Sequence, residues 1–453
     1  MKNNSMNRKR RGGLIAGLLT MATAVMAQNP IVPAGMYCAD PSAHQWQAGG
    51  PLYVYGSRDE STDHYCSHHY DVWSTTDMTT WTFHPDVFSS VGANDEVPYN
   101  DDLLYAPDCL LRDGVYYLYY SMGGWNDVEG VAVASSPTGP FRQGSPIAHA
   151  TQIDPAAFVD DDGQPYLFWG QFAAKMARLK PSMREIDPQT LRDSIITEAG
   201  HHFHEGIQVL KRGDFYYLVF ADISRRGMPT CLGYAMSRRL EGPYEYKGVI
   251  IDNFGCDPYV WNNHGSLAAF NGQWYVFYHR ATNGSVQMRK ACVEPIHFND
   301  DGTIDEVEMT TQGAAGPLNP FQRIAAARAC YLTGSVRVSE VAKGDEQLTH
   351  IADRNTAAYK YFDFKRQPRR ITLQVVPSAG GTIDVFANTL SRPRLASIRV
   401  PKGDGQTALT LTADIDETVV LQGVHPIFLR FHAAQDDNDG AEQLFTLDWF
   451  RFE

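Results

Sequence analysis

Five short segments decide the fold: Leu52-Tyr-Val-Tyr55, Tyr116-Tyr-Leu-Tyr-Tyr120, Tyr166-Leu-Phe-Trp169, Tyr216-Tyr-Leu-Val-Phe220 and Trp274-Tyr-Val-Phe-Tyr278. Each is an aromatic, β-branched run of strand length. Their central residues, at 54, 118, 167, 218 and 276, are 64, 49, 51 and 58 positions apart. Periods of that size fit a four-stranded propeller blade. Four of the runs follow a tight-turn signal: Asp113-Gly114, Asp162-Gly163, Arg212-Gly213-Asp214 and Asn271-Gly272. Each is therefore read as the return strand of a hairpin. With helical periodicity nearly absent, the expectation is an all-β chain whose residues 28–316 form a five-bladed β-propeller.

Working outward, Gly313-Ala-Ala-Gly-Pro-Leu-Asn-Pro320 has linker composition, and the aromatic period stops there. Residues 321–453 alternate over shorter strands, such as Ile371-Thr-Leu-Gln-Val375, Thr382-Ile-Asp-Val-Phe386, Ile427-Phe-Leu-Arg-Phe431 and Phe445-Thr-Leu-Asp-Trp-Phe450. That pattern predicts a second domain, an antiparallel, jelly-roll-like β-sandwich. Upstream, Lys2, Arg8, Lys9, Arg10 and Arg11 precede the apolar run Leu14 to Met26 and then Ala27. This is the pattern of a signal peptide over 1–27, so the expected localisation is secreted or periplasmic. The apolar run is too short to span a bilayer, and no membrane insertion is expected after its removal.

The 453-residue chain is long enough for two or three domains and carries a net charge of −13. Such an acidic surface repels a phosphate backbone, which excludes nucleic acid as a partner class. Seven cysteines, at 38, 66, 109, 231, 256, 292 and 330, show no CxxC spacing. They read as buried thiols, with no disulfide assigned.

The first strand of each blade lines the central funnel, so residues ahead of each aromatic run converge. Counting back, Asp40 lies 14 residues before Val54, Asp154 lies 13 before Leu167, Glu205 lies 13 before Leu218, and His264 lies 12 before Val276. Turn formation accounts for Asp160-Asp-Asp162-Gly163 but not for Glu205. Two carboxylates across a funnel suit glycosidic cleavage, one protonating the leaving oxygen and the other activating water or attacking carbon. A third acid nearby raises the pKa of the proton donor by like-charge repulsion.

The ordered motifs Ala39-Asp40-Pro41, Ala106-Pro107-Asp108, Ile153-Asp154-Pro155, Glu205-Gly206 and Asn263-His264-Gly265 resemble glycoside hydrolase family 43, the five-bladed propeller arabinofuranosidases, xylosidases and arabinanases. The resemblance implies Asp40 as general base, Glu205 as general acid and Asp154 as the residue that tunes and orients the acid, in an inverting enzyme. It implies Arg289 on sugar hydroxyls and His264 near an axial calcium or water, with no cofactor required for the chemistry. Trp125 is a candidate sugar-stacking platform. The implied substrate is a polysaccharide or oligosaccharide with terminal arabinofuranose, xylose or galactofuranose. An endo-acting arabinanase and a glycan-binding propeller without catalysis are the alternatives. A zinc hydrolase is disfavoured, because His201-His-Phe-His-Glu205 is followed by Gln208 where HExxH requires histidine.

The C-terminal part resembles family 6 carbohydrate-binding modules in Gly423-Val-His425, Leu429-Arg-Phe431 and Leu447-Asp-Trp-Phe450. It departs at Ile324-Ala-Ala-Ala327, where such modules carry calcium-binding acids, and at Thr356, in place of a binding tryptophan. The expectation is a supporting domain that does not grip glycan.

Overall fold

The computed structural model describes residues 28–123, 128–391, 393–434 and 443–453. Five antiparallel sheets succeed one another along the chain. Blade one holds strands Ala39–Gln45, Leu52–Ser57, His69–Thr75 and Trp81–Ser89, and blade two runs from Asp108–Arg112 to Arg142–Thr151. Blade three spans Ala156–Val159 to Arg192–Thr197, and blade four spans Phe203–Arg212 to Glu245–Asp252. Blade five has three strands, Ser266–Phe270, Gln273–Thr282 and Ser285–Ile296. The first strands of the five blades pack on one another in a closed ring, which fixes them as the innermost.

All five aromatic runs are second strands, as the turn chemistry predicts for the four that follow a turn signal. Asp113 and Gly114 have φ of 51° and 77°, and Asn271 and Gly272 have 49° and 85°. Two successive left-handed residues match the right-handed twist of a hairpin. The apolar faces of the blades form five clusters, one between each neighbouring pair. Tyr55 of blade one and Leu118 of blade two share one of them, and Leu52 and Phe270 share the one that joins blade one to blade five.

Blade five is completed by the segment ahead of blade one. Ile31 N–H donates to the Ala291 carbonyl at 2.9 Å, Cys38 N–H donates to that of Arg289 at 3.1 Å, and Cys38 pairs in parallel with Lys290. Residues 29–38 thus run beside the last strand and close the ring, a role the sequence reading did not assign.

The C-terminal part is two sheets facing one apolar core. One contains Arg370–Pro377 and Phe445–Phe452, the other Thr356–Phe364, Gly381–Ala387 and Gly423–His432. Leu318, inside the stretch read as a linker, is buried in this core, and its N–H donates to the Tyr361 carbonyl at 2.8 Å. Thr356 is buried at the start of its strand, and Ala325 pairs with Trp449. Polar contacts join the two parts, some through the N-terminal segment and one directly from blade five. Arg328 donates to the carbonyls of Gln28 at 2.8 Å and Pro30 at 2.6 Å, and Lys290 pairs with Glu346. All seven cysteines are free and buried.

Candidate active site

The funnel opens into a cavity of about 360 Å³ whose walls include Asp40, Asp154, Glu205, His264 and Arg289. Backbone geometry helps aim the acids inward. Asp40 and Asp154 have φ of 51° and 62°, left-handed values that Asp tolerates better than most residues and that fall where strand regularity breaks. The ladder of blade four shifts register on both sides of Glu205. Gly206 follows at φ 70°, and a Cβ there would lie 2.8 Å from a ring carbon of His264. A glycine is required at that point for both reasons.

Asp40 is held on every side. Its Oδ1 accepts from Arg289 Nη1 at 2.8 Å and its Oδ2 from Ser57 Oγ at 2.7 Å. Its backbone N–H donates to His279 Nδ1 at 3.2 Å, which places that ring's proton on Nε2, facing the oxygens of Asn262 at 3.2 Å. Burial works to raise the Asp40 carboxyl, but the Arg289 guanidinium, with the Ser57 hydrogen bond, outweighs it and holds the group down to about 2. Burial, reinforced by Arg289, takes His279 down to about 3, so that ring is neutral. Asp40 is therefore held as a carboxylate.

Arg289 meets carboxylates first. Besides Asp40, it donates from Nε and Nη2 to both oxygens of Asp59 at 2.9 Å, and its backbone N–H reaches Asp59 at 2.8 Å. The resemblance put this arginine on sugar hydroxyls; in the structure it is buried between two acids and covered by the Tyr65 ring at 4.9 Å. Burial pushes the Asp59 carboxyl up against the pull of Arg289.

Asp154 behaves oppositely to Asp40. Burial first, then the charges of Glu205 and Asp40, push its carboxyl well above the usual carboxylate range, although the Gly206 N–H hydrogen-bonds to it. Glu205 accepts from Gln171 Nε2 at 2.8 Å, and His204 Nε2 lies 3.9 Å from the same oxygen. His264 has its Nδ1 3.6 Å from Asp40 Oδ1, and burial lowers its pKa.

Calcium takes six to eight oxygen ligands. Among the described residues no three His, Cys, Asp or Glu converge on a metal position, and the carboxylate beside His264 is already held by Arg289 and Ser57. These side chains do not form a calcium cage. Trp125 lies outside the described residues. Asp59, Tyr65, Gln171, Trp261 and His279 were not singled out from the sequence. Three of them had a signal: in an antiparallel hairpin the end of the second strand returns to the start of the first. Asp59 and Gln171 sit just past those ends in blades one and three, and His279 sits two positions past Phe277, the last residue of its strand paired with the first strand of blade five.

Residues 27–304 match the glycosyl hydrolases family 43. The chain is 31% identical over 409 residues to a xylosidase/arabinosidase of Thermoclostridium stercorarium, covering 74% of this chain and 83% of that protein. A family 43 enzyme from Xanthomonas citri, solved with xylose, aligns with TM-score 0.55 at 27% identity over 64% of this chain and 96% of its own. An arabinoxylan arabinofuranohydrolase from Bacillus subtilis, solved with cellotetraose, covers 95% of this chain and 99% of its own at TM-score 0.54 and 23% identity, a likeness of fold across both parts.

Proposed function

The chain belongs to glycosyl hydrolases family 43 and is a glycoside hydrolase, and we propose that it releases terminal arabinofuranose or xylose units from a polysaccharide with inversion of configuration. The observation that carries this reading is the pairing of unlike carboxyls on one cavity. Asp40 is kept ionised by Arg289, whereas Asp154 is driven to hold a proton beside Glu205. Asp40, as the base, draws a proton from water, whose oxygen attacks the anomeric carbon. Glu205, oriented by Gln171, protonates the departing glycosidic oxygen. Asp154 keeps a proton available to that acid and does not touch the reacting carbon.

A pair of carboxyls needs no metal for this reaction. The cavity volume is near the lower end of the ~300–1,000 Å³ typical of ligand sites, which favours a terminal unit over an open cleft. Of the three sugars expected, arabinofuranose and xylose are favoured by the name of the Thermoclostridium relative. The basic, then apolar, N-terminal segment supports export to the periplasm or medium.

Nitrophenyl α-L-arabinofuranoside and β-D-xyloside, compared with natural oligosaccharides, test the assignment. Glu205→Ala should lose about 10²–10⁴-fold on natural substrates and far less on nitrophenyl glycosides, whose leaving group needs little protonation. Asp40→Asn should lose on both. Equal losses for the two variants on both substrate kinds would overturn the division of roles.

A further inference from the structure

Four of the six exposed large aromatic side chains among the described residues, Phe254, Tyr259, Trp261 and Tyr331, lie on one loop and on the strand that docks against it. Trp261 lines the catalytic cavity. At the loop's other end, Tyr331 of the sandwich rests on Gly255, where a Cβ would meet its ring at 2.4 Å, and Leu332 N–H donates to the Gly255 carbonyl at 2.7 Å. There a second cavity, of about 350 Å³, opens between propeller and sandwich, lined by Asp252, Glu306, Glu308, Tyr331 and Lys360.

The loop is anchored from beneath. Asn253 Nδ2 donates to the carbonyls of Asn262 at 2.8 Å and His279 at 2.9 Å, and buried Asp257 accepts from Tyr259 N–H at 2.9 Å and Gly284 N–H at 3.1 Å. Arg226 lies over one face of Phe254 at 4.0 Å and Tyr331 rests on Gly255, yet all four rings stay exposed, and a group of exposed rings on a fixed backbone is the mark of a binding surface. The charges of the second cavity are balanced. Glu306 pairs with Arg225 at 2.7 Å, Asp252 with Arg226 at 2.5 Å and Glu308 with Lys360 at 3.3 Å. Balanced charge beside aromatic faces suits a neutral, hydroxyl-rich chain and disfavours a phosphate or a polycation.

We propose that Trp261, Tyr259, Phe254 and Tyr331 form a track that binds the polysaccharide main chain from the catalytic cavity to the cavity between propeller and sandwich. The inference rests on the glycosidase reading of the first cavity, which it extends to a substrate class: a polymer several units long, gripped beyond the sugar that is removed. It also gives the sandwich one binding residue, on a strand other than the one where Thr356 replaces the expected tryptophan.

The test uses the full-length protein and the double variant Tyr259→Ala/Tyr331→Ala. On arabinoxylan the variant's KM should rise about fivefold or more with kcat little changed, since each lost ring contact is worth a modest factor. Nitrophenyl glycosides, too short to reach the track, should give a kcat/KM within about twofold of the parent. In native gels containing arabinoxylan the parent should be retarded, the variant should not, and Tyr259→Phe/Tyr331→Phe should restore the retardation. Unchanged KM and retardation on the polymer would overturn the track, as would equal losses on both substrates with retardation intact. Failure of the glycosidase reading would show separately, as a parent that cleaves no nitrophenyl glycoside, while the gels still report on the track.

Discussion

Where the sandwich buries Ile371, Leu373, Phe450 and Phe452 among other carbon side chains, the propeller axis buries Asp40, Asp59, Asp154, His279 and Arg289 among one another. The first arrangement is cheap in free energy, at roughly 25 cal/mol gained per Å² of apolar area removed from water. The second carries several kcal/mol of desolvation per ion, offset only by pairing and hydrogen bonds. Dry clusters between the blades supply the stability that lets the ring hold those charges. The difference bears on function: the buried charges that line the cavity are those the chemistry uses, whereas the core cluster of the sandwich is built of carbon side chains.

The strongest way to break this contrast is Arg289→Met. The change leaves Asp40 and Asp59 buried without their cation, and removal of one partner of a buried pair costs about 3–5 kcal/mol. Its pH signature is specific. A carboxyl held at about 2 contributes stability that is present above its unfolded value and lost as pH falls toward 2. Without Arg289 burial is less opposed, so the Asp40 carboxyl rises and the acidic limb of kcat/KM should move up in pH. Arg289→Lys, which keeps the charge but not the fork, should fold better and move the limb less. Urea unfolding and a pH profile on a nitrophenyl glycoside check both; an unmoved acidic limb in a folded Arg289→Met protein would refute the role given to the arginine.

The matching cut in the other region is Leu373→Ala. It opens a cavity in a carbon-lined core, at about 2–5 kcal/mol, with no charge left exposed. The melting curve should shift while the pH profile stays in place. A moved pH limb would show that the sandwich core is coupled to the acids, and the contrast between the two regions would fail.

The same contrast explains what the sequence discloses. Second strands are legible because hairpin turns and aromatic runs are local, as at Asn271-Gly272 before Trp274. Asp40, Asp154 and Glu205 are legible because a repeat puts one structural position at one offset from each run. Asp59 and His279 are less legible because they approach the axis from the second strand of the hairpin, a direction visible only once strand pairing is considered. Tyr331 and the loop that carries Trp261 are joined by docking of that loop on another part of the chain, for which no local pattern exists. The closing segment, residues 29–38, has only the short strand content of Ile31-Val32 to announce it, and its partner strand lies some 250 positions away.

The smallest expected effect sharpens the picture inside the site. Asp154→Asn preserves size and an acceptor for the Gly206 N–H but removes the carboxyl that lines the cavity together with Glu205. In the parent, burial and the neighbouring charges of Glu205 and Asp40 drive Asp154 to stay protonated. With an amide at 154 that mutual repulsion is gone, so the basic limb of kcat/KM should move to lower pH, with little change on the acidic side. The stability sign is opposite to that of Asp40. A carboxyl raised in the folded state contributes stability below its unfolded value, and that contribution is lost as pH rises through the folded one. The parent should therefore lose stability over the pH range just above ordinary carboxylate values, and the Asn variant should not. If the two proteins unfold in parallel across that range and share one basic limb, Asp154 does not hold the proton, and the contrast between an ionised Asp40 and a protonated partner must be drawn elsewhere.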